Sequence, residues 1–286
     1  MMRNGDSIGT GIALSRKEPD LETVPIIGAP FRVGDITTSI LGQPLDETVP
    51  VREVQLKHEI HVGIVPVTFE QWNWAINDCI EKHPRELQRV FCALGYPYRY
   101  VEAILREHAN DGMGGACQPV IHINWFAAQA YCWALTLLTN RYYRLPTETE
   151  WEYCCRARSE TSFAWGEDLE IPRIKDVVNY DRRPPRSTTD LSLPTFVNEF
   201  GLRHMHGQVW EWVQDCYTHQ LSDAPKDGRA YVGMDRLLGL YEYPRVVRGG
   251  SWTSPVRKIR SASRSKHLPD HHHHNVGFRV VMDESV

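Results

Sequence analysis

The chain has 286 residues, 42% hydrophobic and 24% charged, which is enough apolar material for a sizeable core and excludes a disordered or fibrous protein. Lys and Arg number 32 against 36 Asp and Glu, and the resulting charge of −4 excludes a chain built mainly to coat nucleic acid. No apolar run approaches the roughly 20 residues that span a bilayer. Nothing apolar follows Met1-Met2-Arg3-Asn4-Gly5-Asp6, so the expectation is a cytoplasmic chain with no secretory leader and no membrane partner.

Residues 1–24 are polar and unpatterned and read as an arm, leaving 25–286 as a single domain. Short strand-like runs follow at 31–33, 51–56 and 60–65, with turns at Gly34-Asp35 and Gly42-Gln43-Pro44. A helix capped by Thr68 carries Trp72 and Ala75 on one face. A second helical stretch covers 85–108, broken near Gly95-Tyr96-Pro97. Residues 124–139 form a strongly apolar helix, and Thr147-Glu148-Thr149-Glu150 has capping-box form at the start of another. Beyond residue 158 the chain turns to loops and short strands: 209–213, 245–248 running into Gly249-Gly250, and 277–281. Helices first and short strands later give the class α+β.

Seven cysteines stand at 79, 92, 117, 132, 154, 155 and 216. The odd count, the apolar neighbours and the lack of any C-x-x-C pair predict buried, reduced thiols and no thiolate zinc site. Nine tryptophans are many for one domain, and they suit irregular backbone pinned by large side chains.

Three stretches together carry a resemblance. The first runs from Pro119-Val120 through Asn124-Trp125 and Ala130-Tyr131-Cys132-Trp133 to Arg144-Leu145-Pro146-Thr147-Glu148-Thr149-Glu150-Trp151-Glu152-Tyr153. The second joins Asn198-Glu199-Phe200-Gly201-Leu202 to Met205-His206-Gly207-Gln208-Val209-Trp210-Glu211-Trp212-Val213. The third is Arg248-Gly249-Gly250-Ser251-Trp252 with Gly277-Phe278-Arg279. In this order, with Pro66-Val67-Thr68 ahead of them, they resemble the formylglycine-generating-enzyme (sulfatase-modifying-factor) family over about residues 25 to 282. The resemblance implies a variant of the C-type lectin fold, loop-rich with two or more helices.

Enzymes of that family oxidise a sulfatase cysteine with two copper-binding cysteines placed just after the Gly-Gly-Ser-aromatic motif. Here that segment is Thr253-Ser254-Pro255-Val256-Arg257-Lys258-Ile259-Arg260, and every cysteine precedes residue 217. A hydroxyl is no soft ligand for Cu(I), so neither the oxidase activity nor copper is expected. Related iron oxygenases need clustered histidines. His58-Glu59-Ile60-His61 lies in a strand-like run, where residues three apart diverge. His122, between Ile121 and Ile123, reads as a packed residue in a short strand, and His204 and His206 fall in a turn with no chemistry assigned. A structural calcium stays open, since Glu211 offers a carboxylate but Gln208 stands where the family has Asn.

The segment 253–274 resembles the diversified stretch of variable proteins from diversity-generating retroelements, a branch of this family in which adenines of the coding strand are rewritten. An Asn codon changed at one adenine gives His, Ser or Thr, and at two gives Pro or Leu. Thr253, Ser254, Pro255, Ser263, Ser265, His267, Leu268, His271, His272, His273 and His274 are all reachable in this way. They are expected to form one exposed ligand-binding patch, with Arg260, Ala262 and Arg264 turned inward. The resulting expectation is a non-catalytic protein that binds a protein or cell-surface ligand; the alternative is a degenerate or altered-chemistry family oxidase. The basic residues of 241–282 are, by resemblance, buried structural pairs, so nucleic acid is not an expected partner. Four consecutive histidines also bind metal opportunistically.

Overall fold

The structure, a computed structural model, describes residues 21–35, 39–40, 43–44, 50–93, 115–167, 178–180, 188–219, 223–233 and 243–284. Strands β1 (Thr23–Ile27), β2 (Pro30–Val33), β3 (Ser39–Ile40), β4 (Gln43–Pro44), β5 (Arg52–Gln55) and β6 (Glu59–Gly63) lead into helices α1 (Phe69–Lys82) and α2 (Pro84–Ala93). Helix α3 (Trp125–Thr139), strand β7 (Tyr142–Arg144) and helix α4 (Glu148–Arg156) follow. The second half holds β8 (Trp210–Cys216), β9 (Arg245–Arg248), a 3-10 turn at Val256–Lys258, β10 (Arg264–His267), β11 (Val276–Phe278) and β12 (Val281–Asp283). One four-stranded sheet has the order β1-β6-β12-β7 and the other β10-β9-β8-β11. All pairings are antiparallel except β11 on β8.

Two expectations about chain order need correction. Thr23 and Val24 belong to β1, paired with Gly63 and Val62, so these two residues are part of the first sheet; the expected arm at 1–20 lies outside the described residues. The closing run 277–281 is not one strand: β11 joins the second sheet and β12 the first, because Arg279 between them turns into the core. The continuation of the second helix past residue 93 lies outside the described residues.

The helix boundaries follow from local chemistry. Thr68 accepts from the Gln71 amide while the Gln71 side chain accepts from the Thr68 amide, a reciprocal cap. Thr147 and Glu150 do the same for α4. Asn124 caps α3 by accepting from the Ala127 amide at 2.8 Å, and Asn140 ends it in the left-handed region. Strand β8 lies between two cores. Trp210 and Trp212 pack with α1, α3 and Phe278, while Val213 packs with Trp151, Cys154 and Cys155 of α4. This two-sided burial is the physical reason that 210–213 is apolar at nearly every position.

All seven cysteines are free. Five are buried, and Cys92 and Cys117 are exposed, contrary to the expectation of uniform burial. Among the described residues no helix is long and apolar enough to cross a membrane.

Candidate functional site

Under the segment 253–274 lies a frame of buried ion pairs. Glu152 is fully buried and holds both Arg156 and Arg248. Glu148 takes Arg264 in a bidentate pair at 2.5 and 2.7 Å. Glu150 takes Arg144, which also reaches Asp283. On the far side, Arg279 is bidentate to Glu211 at 2.7 and 2.8 Å, and the Trp151 indole donates to the same carboxylate. The paired guanidiniums hold the Glu152 carboxyl below its ordinary range despite the opposing effect of burial. Thus every carboxylate of Thr147-Glu148-Thr149-Glu150-Trp151-Glu152 is matched to an arginine, two of the four arginines being distant in sequence.

The Gly249-Gly250 turn places the segment on this frame. Both glycines have positive φ, 93° and 74°, and a Cβ on Gly250 would meet Ile259 and the Lys258 carbonyl at 2.5 and 2.7 Å. From β9, Arg248 donates to the carbonyls of Ser261, Ala262 and Ser263. That pull brings the 261–263 turn into the core and sets which side chains stay outside.

The expected patch therefore divides. Ser263 is 3% exposed and donates to the Arg257 carbonyl, because β10 starts only at Arg264 and the strand alternation does not extend back to it. Ser254 is 6% exposed, its hydroxyl accepting from the Ser251 amide at 3.0 Å to close a tight turn. Neither belongs to the surface. Arg260 pairs with Asp35, Ala262 is buried and Arg264 holds Glu148, as expected of inward positions. Thr253, Leu268, His271 and His274 are exposed, while Pro255, Ser265, His267, His272 and His273 are half-buried.

Around the end of β10 and the loop that follows, several rings come together. The His267 and His273 rings lie 3.8 Å apart between centroids, and His271 is 6.1 Å from His273. His274 packs edge-on against Trp252 at 5.7 Å and lies 6.4 Å from His122. Asn275 donates to Thr253 and Ser251, tying the loop to the Gly-Gly-Ser-Trp turn. Burial, then the neighbouring imidazoles, lowers His267 to about 4, and His273 is lowered for the same reasons. At neutral pH both rings are uncharged.

Sequence reasoning missed His122 and Asn275. His122 is not in a strand: its φ is 59°, its amide donates to the His273 carbonyl and its carbonyl accepts from His272 Nδ1. A non-glycine residue in the left-handed region just before a helix cap is invisible to hydrophobic patterning. His206 is likewise more than a turn residue. Its Nδ1 bonds the Ile259 carbonyl at 2.7 Å, the Ala164 amide donates to its Nε2, and burial lowers it to about 4. Both oxygens of Glu211 accept from Arg279. Gln208, with φ of 63°, bonds Asn179 and Thr189.

The chain matches the sulfatase-modifying factor enzyme 1-like domain over residues 12–284. It belongs to this family. The formylglycine-generating enzyme of Mus musculus is 34% identical over 58% of this chain and 44% of its own length. The hercynine oxygenase of Mycolicibacterium smegmatis is 26% identical over 96% of this chain and 65% of that protein. An inactive Cα-formylglycine-generating enzyme 2 of Mus musculus is 26% identical over 81% of this chain and 77% of its own. The chain thus spans less than half the length of the mouse and cattle formylglycine-generating enzymes it matches. Among solved structures, PvdO from Pseudomonas aeruginosa superposes with a TM-score of 0.65 at 23% identity, covering 91% of this chain and 94% of that one. Treponema denticola variable protein 1 gives 0.63 at 20% identity with the same coverage. The sulfatase-modifying-factor fold is therefore shared across a chain that oxidises, one named inactive and one named variable, and fold alone does not choose among them.

Proposed function

We propose that this family member is a non-catalytic ligand-binding protein, the variable protein of a diversity-generating retroelement, which presents the outward part of 253–274 to a protein or cell-surface ligand. The observation that carries the reading is the division of that segment. Its basic residues Arg260 and Arg264 are held in buried pairs, while Thr253, Leu268, His271 and His274 face outward on a frame that does not use their side chains to close its core. Substitutions at such positions usually cost within about 0.5 kcal/mol, so one backbone tolerates many surfaces. The fold shared with Treponema denticola variable protein 1 supports this reading, as does the lack of any cysteine beyond Cys216.

The experiment is genetic first. An adenine-rich near-copy of the 253–274 coding region beside a reverse transcriptase gene supports the proposal, and a genomic neighbourhood without one removes it. A second reading, an altered-chemistry enzyme of the same family, is favoured by the 34% identity to formylglycine-generating enzyme. It is tested by incubating the full chain with a sulfatase-type cysteine peptide, with and without copper. The expected result is unchanged cysteine, and sustained formylglycine formation would establish the second reading.

A further inference from the structure

We propose that His267, His271 and His273 form a site for a divalent transition metal of the zinc class, closed by the ion itself. Two imidazoles bound to one tetrahedral zinc at roughly 2.0–2.1 Å have ring centroids about 5 Å apart. The observed spacings, 3.8 Å for His267 and His273 and 6.1 Å for His271 and His273, bracket that value. Among the described residues no group of three such donors already stands in a metal-holding arrangement, so the three imidazoles must rotate onto the ion as it binds.

Three observations separate this site from a run of histidines that captures metal by chance. His267 lies outside the run, at the end of β10, where backbone pairing to Arg245 fixes its position. His273 Nε2 is buried and has no hydrogen-bond partner, leaving a nitrogen whose lone pair or proton the protein does not satisfy. His272, in the middle of the run, is diverted to structure, with Nδ1 bonded to the His122 carbonyl at 2.9 Å and Nε2 3.4 Å from Asn124 Nδ2. The nearest basic residue in sequence does not oppose a cation, because Lys266 lies over the Tyr217 ring with Arg264, on the other face of β10 from His267. Neutral imidazole is a good ligand for this class of metal, and three of them leave one coordination position to water. This inference stands whether or not the segment is diversified.

The test is zinc titration of the full chain at pH 7.5 in competition with a chromogenic chelator. One equivalent is expected to bind. His267→Gln and His273→Gln each weaken it at least tenfold, while His272→Gln stays within twofold of the parent. His271→Gln, at an exposed position, repeats the tenfold loss without touching the fold and guards against misfolding of the others. Zinc is also expected to raise the melting temperature of the parent but not of His267→Gln. Parent-like zinc affinity in both His267→Gln and His271→Gln, or no saturable binding at all, overturns the proposal; so does a loss in His272→Gln as large as in its neighbours, which marks opportunistic capture by the run.

Discussion

Two sets of ionisable side chains occupy neighbouring stretches of this chain and behave in opposite ways. Around α4, arginines and carboxylates are buried in a network of ion pairs whose partners are fixed, with Glu152 shared by Arg156 and Arg248. At the end of β10 and in the loop to β11, imidazoles crowd one another, and His267 and His273 are kept neutral by burial and proximity. The first set fixes a geometry, since removing one member of a buried pair strands a charge in low dielectric. The second leaves its chemistry outward. The contrast explains how a family motif can stay rigid a few residues from a segment whose composition is unusual.

The sharpest way to break this contrast is to unpair the frame. Glu152→Ala strands Arg156 and Arg248, and a loss of about 3–5 kcal/mol is expected in urea unfolding. A change below about 1 kcal/mol would make the frame ornamental. Trp212→Ala is expected to cost a similar roughly 3–5 kcal/mol, because the indole is fully buried and donates to the Ile123 carbonyl.

The acid response of a buried imidazole comes next in size. His206 sits near 4 in the folded protein against an ordinary value of about 6.5. Above pH 6.5 it is neutral in both states and contributes no pH dependence. As the pH falls towards 4, the unfolded chain binds a proton that the folded chain refuses, so stability drops by about 3 kcal/mol over that window. Asp215, raised by burial and by Glu148 to about 7, pulls the other way, but it is common to parent and variant. The parent should therefore lose stability relative to His206→Gln between pH 6.5 and 4, measured as the difference between their urea midpoints. A pH-independent difference would show that the ring is protonated as easily inside as out.

The smallest effect is expected at the surface. Replacing Thr253, Leu268, His271 and His274 together by other polar residues should move the melting temperature by only about 2 °C, at roughly 0.5 kcal/mol or less per site. Adding Ser254 or Ser263 to that set should lower it further, since both hydroxyls are buried and bonded.

Much of the frame was legible in the sequence. The caps at Thr68 and Thr147 follow from short-range rules and are found as expected, and Trp210, Trp212, Trp252 and Phe278 are buried as the family resemblance implies. The inward turn of Arg260, Ala262 and Arg264 was legible as well. What escaped depends on contacts made across the chain. Nothing near Ser263 announces that Arg248 will draw its carbonyl inward. Nothing near His122 foretells that its peptide will hold the backbone and ring of a loop 150 residues later. Codon reachability selected residue types without regard to burial, and so it included Ser254 and Ser263 beside the truly outward positions.

The parallel seat of β11 on β8 and the insertion of β12 between β6 and β7 have a consequence for synthesis. Each sheet waits for residues near position 280 before it is complete, so a growing chain on the ribosome cannot close either one. Until then β6 and β8 each have an edge without its hydrogen-bonding partner, and the nascent protein depends on being sheltered or finished quickly. The loop with the histidines emerges just before those closing strands. Any change in its sequence therefore passes through the ribosome at the moment when the rest of the molecule is least able to tolerate a competing fold.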